Sequence, residues 1–362
     1  MPRRWVAATL ALLMLSVAAP AALAGGAGGS GTGGKIAGAA IQDLSPTGTN
    51  DATGALSHLA LDGMNTVSLY VWWMAPAPGS PTLQPYSGTE DDTELEAQIL
   101  AARAAGLRVS LTPLFYCNGC EGGSRSVFTT TPANLDAFFR SYTAFVDHYA
   151  ALAQSSGADI FFVGSELSYL EPATSHWRSV IASVRSIFHG QLAYEENWDV
   201  TEDVHHAAFE DSVDLIGVSA YFPLDPGQSP SLAQLVADWR SSSMPGWRGR
   251  NWVRQLQQLV ATYHKPIVFG EVGYMSSDYA GAHPYLNDYE NPNLLLQADL
   301  YQALLETFQG YGWWAGAIWW DYSDVDDGQG NGRTFAAKPA ELVLQMWYAD
   351  DERPSNPGTP LI

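Results

Sequence analysis

Residues 159–166 read DIFFVGSE. An unbroken apolar run, a glycine, a serine and a lone glutamate follow one another. A strand with one wet face alternates apolar and polar residues. A strand with no alternation is buried on both faces, as in a parallel sheet covered by helices. The same texture recurs in VDLIGVSAY (213–221), KPIVFGE (265–271) and AGAIWWDY (315–322). Further strand-like runs are KIAGAAIQDL (35–44), NTVSLYVWW (65–73), LRVSLTPLF (107–115) and QLAYEENW (191–198).

Helical stretches separate these runs. The clearest, DDTELEAQILAARAAGL (91–107), carries acids in its first turn and Gly106 at its end. Others are expected over 53–64, 131–157, 175–190, 291–312 and 338–350. Two lie between the sixth and seventh strands, around 231–239 and 246–264. The segment between the fifth and sixth strands is short and poorly periodic. Strands that alternate with helices are parallel. Eight such units over residues 35–350 predict a single (β/α)₈ TIM barrel of class α/β. An open doubly wound sheet would want a Gly-rich phosphate turn after the first strand, and GAAIQDLSPTG (38–48) has no G-x-G-x-x-G.

The ends read as processing and linker segments. MPRRW is a basic start, residues 6–19 are apolar but short for a membrane span, and Ala22 and Ala24 form an A-x-A-like site. A signal peptide over 1–24 and a secreted protein are expected. Residues 25–34 are a Gly-rich tether, and 351–362 a polar, Pro-rich disordered tail. The formal charge of −21 argues against nucleic acid or an anionic membrane as partner. Cys117 and Cys120 form half a zinc site that nothing completes, and export favours a local disulfide between them. A monomer with no cofactor and no metal is expected. The acidic loop DYSDVDDGQGNGR (321–333) fails the EF-hand spacing in either glycine register, and His205 and His206 read as solvated surface.

In a barrel, reactive side chains sit at the C-terminal ends of strands. That rim gathers Trp72 and Trp73, Ser165 and Glu166, Glu195, Glu196, Asn197 and Trp198, Tyr221, Glu271, and Trp319, Trp320 and Asp321. Tryptophan faces with carboxylates and amides between them suit a sugar cleft. Of two adjacent residues in a strand only one faces the pore, so at most one of Trp72/Trp73 and one of Trp319/Trp320 should touch substrate. Glu166 and Glu271 stand three βα units apart, across the barrel mouth, where two carboxyls can flank a glycosidic bond. Strand-end glutamates that pair with arginine or cap a helix read the same way in sequence. Glu195 and Glu196 are rivals, of which alternation admits one to the pore.

The ordered pieces FFVGSELS, HWRSVIASVRSIFHGQLAYEENWD, VDLIGVSAYFPL, KPIVFGEVGY, GAIWWDY and KPAE resemble glycoside hydrolase family 113. This family of retaining (β/α)₈ glycosidases includes endo-β-1,4-mannanases. The resemblance implies Glu166 as acid/base, Glu271 as nucleophile and Tyr221 as the hydroxyl that holds the nucleophile. It implies Asn197 and Trp198 lining the cleft, and Trp319 or Trp320 as the platform under the reacting sugar. Ser165 stands where many related enzymes have asparagine, whose amide contacts the sugar. The expected substrate is a β-linked polysaccharide, mannan first. Glucan or galactan by the same mechanism, or a non-catalytic carbohydrate-binding barrel, are the alternatives.

Overall fold

The computed structural model describes residues 34–42, 44, 52–198, 207–287, 290–323 and 331–349. The expected signal peptide over 1–24, most of the expected Gly-rich tether, the tail over 351–362, His205, His206 and most of the acidic loop lie outside them.

Eight parallel strands close into a barrel in sequence order. They are β1 (Ile36–Ala40), β2 (Thr66–Ala75), β3 (Arg108–Cys117), β4 (Ile160–Ser165), β5 (Gln191–Asn197), β6 (Leu215–Ser219), β7 (Ile267–Val272) and β8 (Trp314–Trp319). The helices are α1 (Ala52–Leu61), α2 (Asp92–Ala104), α3 (Pro132–Ser156), α4 (Thr174–Ile187), α5 (Leu232–Asp238), α6 (Trp252–Tyr263), α7 (Leu294–Phe308) and α8 (Pro339–Tyr348). The architecture is the TIM barrel expected from the sequence, but its crossovers are uneven. Between β5 and β6 the described residues hold only a 3₁₀ turn, Glu210–Ser212, whereas β6 and β7 are joined through both α5 and α6.

Local chemistry sets the helix ends. Asp91, Asn251 and Asn293 accept backbone N–H groups at the starts of α2, α6 and α7. Pro132 and Pro339 open α3 and α8, where a missing N–H costs nothing. Two apolar layers result. A large one lies between strands and helices, and a small one fills the barrel with Ile36, Tyr70, Leu114, Phe162, Ala193, Val268 and Ile318 among others. Trp72 and Trp320 pack on the small cluster.

Candidate active site

Glu166 follows the last residue of β4. Its N–H donates to Glu195 O at 2.8 Å, and its φ is +54°. That left-handed backbone is strained for a residue with a Cβ, and such strain collects at functional sites. Arg125 reaches the same place from the loop after β3. Its guanidinium donates to Ser165 O (2.8 Å), Ser165 Oγ (3.0 Å) and Glu166 Oε2 (3.1 Å), and lies 5.9 Å from the centre of the Trp72 ring. The Cys117–Cys120 disulfide pins the start of that loop.

Glu271 reaches the cleft against strict alternation. Val268 faces the barrel interior and Phe269 the helices, so an unbroken pleat would turn Glu271 toward the helices. The β7–β8 register shifts between Phe269 and Val272, and the β6–β7 register between Gly217 and Ser219. A bulge re-aims the side chains beyond it, and Glu271 lines the cleft with Glu166. Tyr221 donates its hydroxyl to Glu271 Oε1 at 2.5 Å. Burial, and then the negative charge of Glu166, push Glu271 up to about 7, while Arg125, Tyr221 and Arg333 pull the other way. The Glu271 pKa thus depends on the charge of Glu166.

The two rivals on β5 separate by alternation. Glu195 faces inward and Glu196 faces the helix layer. Glu195 is only 3% exposed, below the mouth. Its Oε2 accepts from Ser165 Oγ at 3.0 Å. Burial and the charges of Glu271 and Glu166 raise its pKa well above the ordinary carboxyl range. Gly270 makes room for it, since a Cβ there would stand 2.6 Å from Glu195 Oε1. Glu195 thus supports Ser165 and Glu166 from beneath.

The cleft has a volume of about 330 Å³ and is lined by Glu166, Asn197, Trp198, Tyr221, Glu271, Tyr285, Asn287, Trp320 and Arg333. Trp198 stacks on Tyr285, centroids 5.5 Å apart and planes 13° from parallel. Trp320 crosses Tyr70 edge-on at 5.3 Å. The other tryptophans are corrected by the same alternation. Trp319 is fully buried, stacked 4.1 Å from Tyr301 of α7 and bonded to the Tyr348 hydroxyl of α8. Trp73 packs 4.8 Å from Phe145 and donates to the Tyr149 hydroxyl, both on α3. Neither lines the cleft. Trp72 faces inward beside Arg125. Ser165, at 2% exposure and bonded to Arg125 and Glu195, is a buried support rather than a sugar contact. Asp321 lies at the rim, held by Gln42 at 3.4 Å and not among the lining residues. Burial raises its pKa.

Two carboxyls from β4 and β7 in an aromatic cleft are equipment for glycosidic bond chemistry. The family model described as Glycoside Hydrolase Family 113 matches residues 46–332. The chain belongs to glycoside hydrolase family 113. Among solved structures, the family 113 β-mannanase AaManA from Alicyclobacillus acidocaldarius, in complex with ManMIm, is 27% identical with a TM-score of 0.73. The match covers 88% of this chain and 98% of that one. A family 113 β-1,4-mannanase is 25% identical with a TM-score of 0.69, covering 87% and 99%. A fungal β-1,4-galactanase structure at 15% identity and a TM-score of 0.54, covering 80% and 90%, shares the fold. No curated protein matches the chain.

As a glycoside hydrolase of this family, the chain also uses residues the sequence reading passed over. Arg333 donates to Asn287 Oδ1 (2.9 Å) and to the carbonyls of Gly273, Pro284 and Leu286, with its guanidinium 5.2 Å from the centre of the Tyr221 ring. It ties the loop after β8 to the wall that carries Tyr285 and places a cation near Glu271. Arg125 does the same near Glu166. The rule that selected the rim carboxylates, applied to cations in strand-end loops of so acidic a chain, would have found both. Tyr285 and Asn287 lie deep in an irregular loop and carry no periodic signal.

Proposed function

We propose that the chain is a secreted, monomeric endo-β-1,4-mannanase that cleaves with retention. The observation that carries the reading is the pair Glu166 and Glu271 in one aromatic cleft, with Tyr221 bonded to Glu271. In the first step the Glu166 carboxyl gives its proton to the glycosidic oxygen as Glu271 attacks the anomeric carbon. The leaving sugar departs and a glycosyl ester on Glu271 remains. In the second step Glu166, now a carboxylate, takes a proton from water. The water oxygen attacks the anomeric carbon, and the Glu271 carboxylate is released. Tyr221 donates to one oxygen of Glu271 and leaves the other for attack.

Mannan as substrate draws on the mannanase relatives at 27% and 25% identity. Secretion draws on the basic and apolar leader with its Ala-x-Ala site, and the disulfide fits an oxidising compartment. Among the described residues no helix is long and apolar enough to cross a membrane. A monomer fits a cleft whose lining comes from one chain. No cofactor enters either step. The test is a reducing-sugar screen over β-mannan, glucan, xylan and galactan, with the product anomer followed by NMR. Release of β-configured oligosaccharides from mannan supports the reading. Inverted products, or turnover of galactan alone, would sink it.

A further inference from the structure

Away from the cleft, the helix layer holds a second convergence of chemistry. His58 lies on α1, Asp62 just past its end, and Glu341 in the first turn of α8. His58 Nε2 is 2.6 Å from Glu341 Oε1 and 3.6 Å from Asp62 Oδ2, and one donor atom from each residue lies within 4.8 Å of the others. None of the three lines the cleft.

The remaining polar atoms of these side chains are already held. The Tyr322 hydroxyl is 3.1 Å from His58 Nδ1. Gln345 donates to Asp62 Oδ1 at 2.7 Å, and the Ala337 N–H donates to Glu341 Oε2 at 2.9 Å. Outer partners of this kind fix the orientation of metal ligands. The atoms that converge are those left over. Asp62 Oδ2 and Glu341 Oε1 are buried, and what faces them is His58 Nε2. Asp62 is 2% and Glu341 7% exposed. Two buried carboxylate oxygens turned toward one point favour a cation between them. A single imidazole edge supplies one N–H at most.

We propose that His58, Asp62 and Glu341 bind one first-row divalent transition metal of the zinc class, clasping the first helix of the barrel to the last. One imidazole nitrogen and two carboxylate oxygens suit such ions better than calcium or magnesium, which prefer oxygen alone. Bonds of about 2.0–2.2 Å around a tetrahedral ion put its ligands about 3.3 Å apart. His58, whose side chain is 42% exposed, has room to draw back from Glu341 by the fraction of an ångström that this spacing asks. Its exposed side leaves a fourth position to water. Both cysteines are in a disulfide, so no thiol competes for the ion.

The proposal does not rest on the mannanase reading, and its test does not read catalysis. The chelator-stripped full chain is titrated with zinc chloride by calorimetry and melted with and without zinc. One zinc per chain is expected. At 100 times the Kd the melting temperature should rise by about 4 °C for a domain of this size. His58→Gln and Glu341→Gln should each abolish both effects. If either variant fails to fold, Asp62→Asn takes its place, and the wild type loaded with cobalt should show the intense visible absorption of a four-coordinate ion. Absence of stoichiometric binding overturns the proposal. So does equal binding by the folded variants, which would mark adventitious binding at other histidines.

Discussion

Glu195 and Glu196 are neighbours on one strand, and both are buried and pushed well above the ordinary carboxyl value by that burial. Their surroundings differ. Glu195 looks into the barrel, under Ser165, with Glu166, Glu271 and the Arg125 cation around it. Glu196 looks into the helix layer, hydrogen-bonded to Glu210 and near Glu171. Tyr194, two residues before Glu196 and on the same outer face, donates to Glu171 at 3.0 Å. Acid clusters on both sides of β5 thus have perturbed titration. Among the described residues, only the inner one opens to a cleft and carries an arginine against its rim glutamate. A shifted carboxyl marks a site only when an open volume and a counter-charge accompany it.

The comparison breaks most sharply at its inner end. Glu271→Ala should lower turnover on mannan by roughly 10⁴-fold or more, because no other group forms the covalent intermediate. Near-normal kcat would remove Glu271 from the mechanism. Glu166→Gln comes next. It should cost about 10²–10⁴-fold on mannan and far less on an aryl glycoside whose leaving group needs no proton. The wild-type pH profile sharpens this. Glu271 must be ionised to attack and sits at about 7, partly through the charge of Glu166, so activity should rise through an acid limb near 7. In Glu166→Gln, assayed on the aryl glycoside, that limb should move below 7, because the charge that raises Glu271 is gone.

Arg125→Ala should have a smaller effect, on the order of 10²-fold in kcat through misplacement of Ser165 and Glu166. The sign of its pH effect is fixed. Arg125 lowers the pKa of Glu271, so removing it should move the acid limb above 7. An unmoved limb would make Arg125 a mere loop anchor. The smallest effect tests the comparison directly. Glu195 and Glu196 have folded values above the ordinary 4.5. Each therefore contributes stability that is complete below 4.5 and is lost as pH rises through its raised value. Glu195→Gln and Glu196→Gln should both flatten the fall in melting temperature with rising pH. Only Glu195→Gln should also slow catalysis. Equal activity loss in the two would erase the distinction between inner and outer cluster.

The sequence alone determined the barrel. Uninterrupted apolar strands alternating with amphipathic helices leave few architectures that bury both. The double helix between β6 and β7 and the weak segment before β6 were legible for the same reason. Alternation also restricted each tryptophan pair to one inward member, and it divided Glu195 from Glu196. It did not say which member was which, because that depends on where each strand enters the barrel. Trp72 and Trp320 proved inward, Trp73 and Trp319 outward. Tertiary structure alone decided the rest. Glu271 reaches the cleft through register shifts around β7, and period-2 reasoning has no term for a bulge. Ser165 became a buried support because Arg125, from a loop forty residues earlier, occupies its hydroxyl. His58, Asp62 and Glu341 meet only because barrel closure brings the first helix against the last. Periodic patterns report which face of an element is buried, and contacts between distant loops follow from how the closed barrel places them.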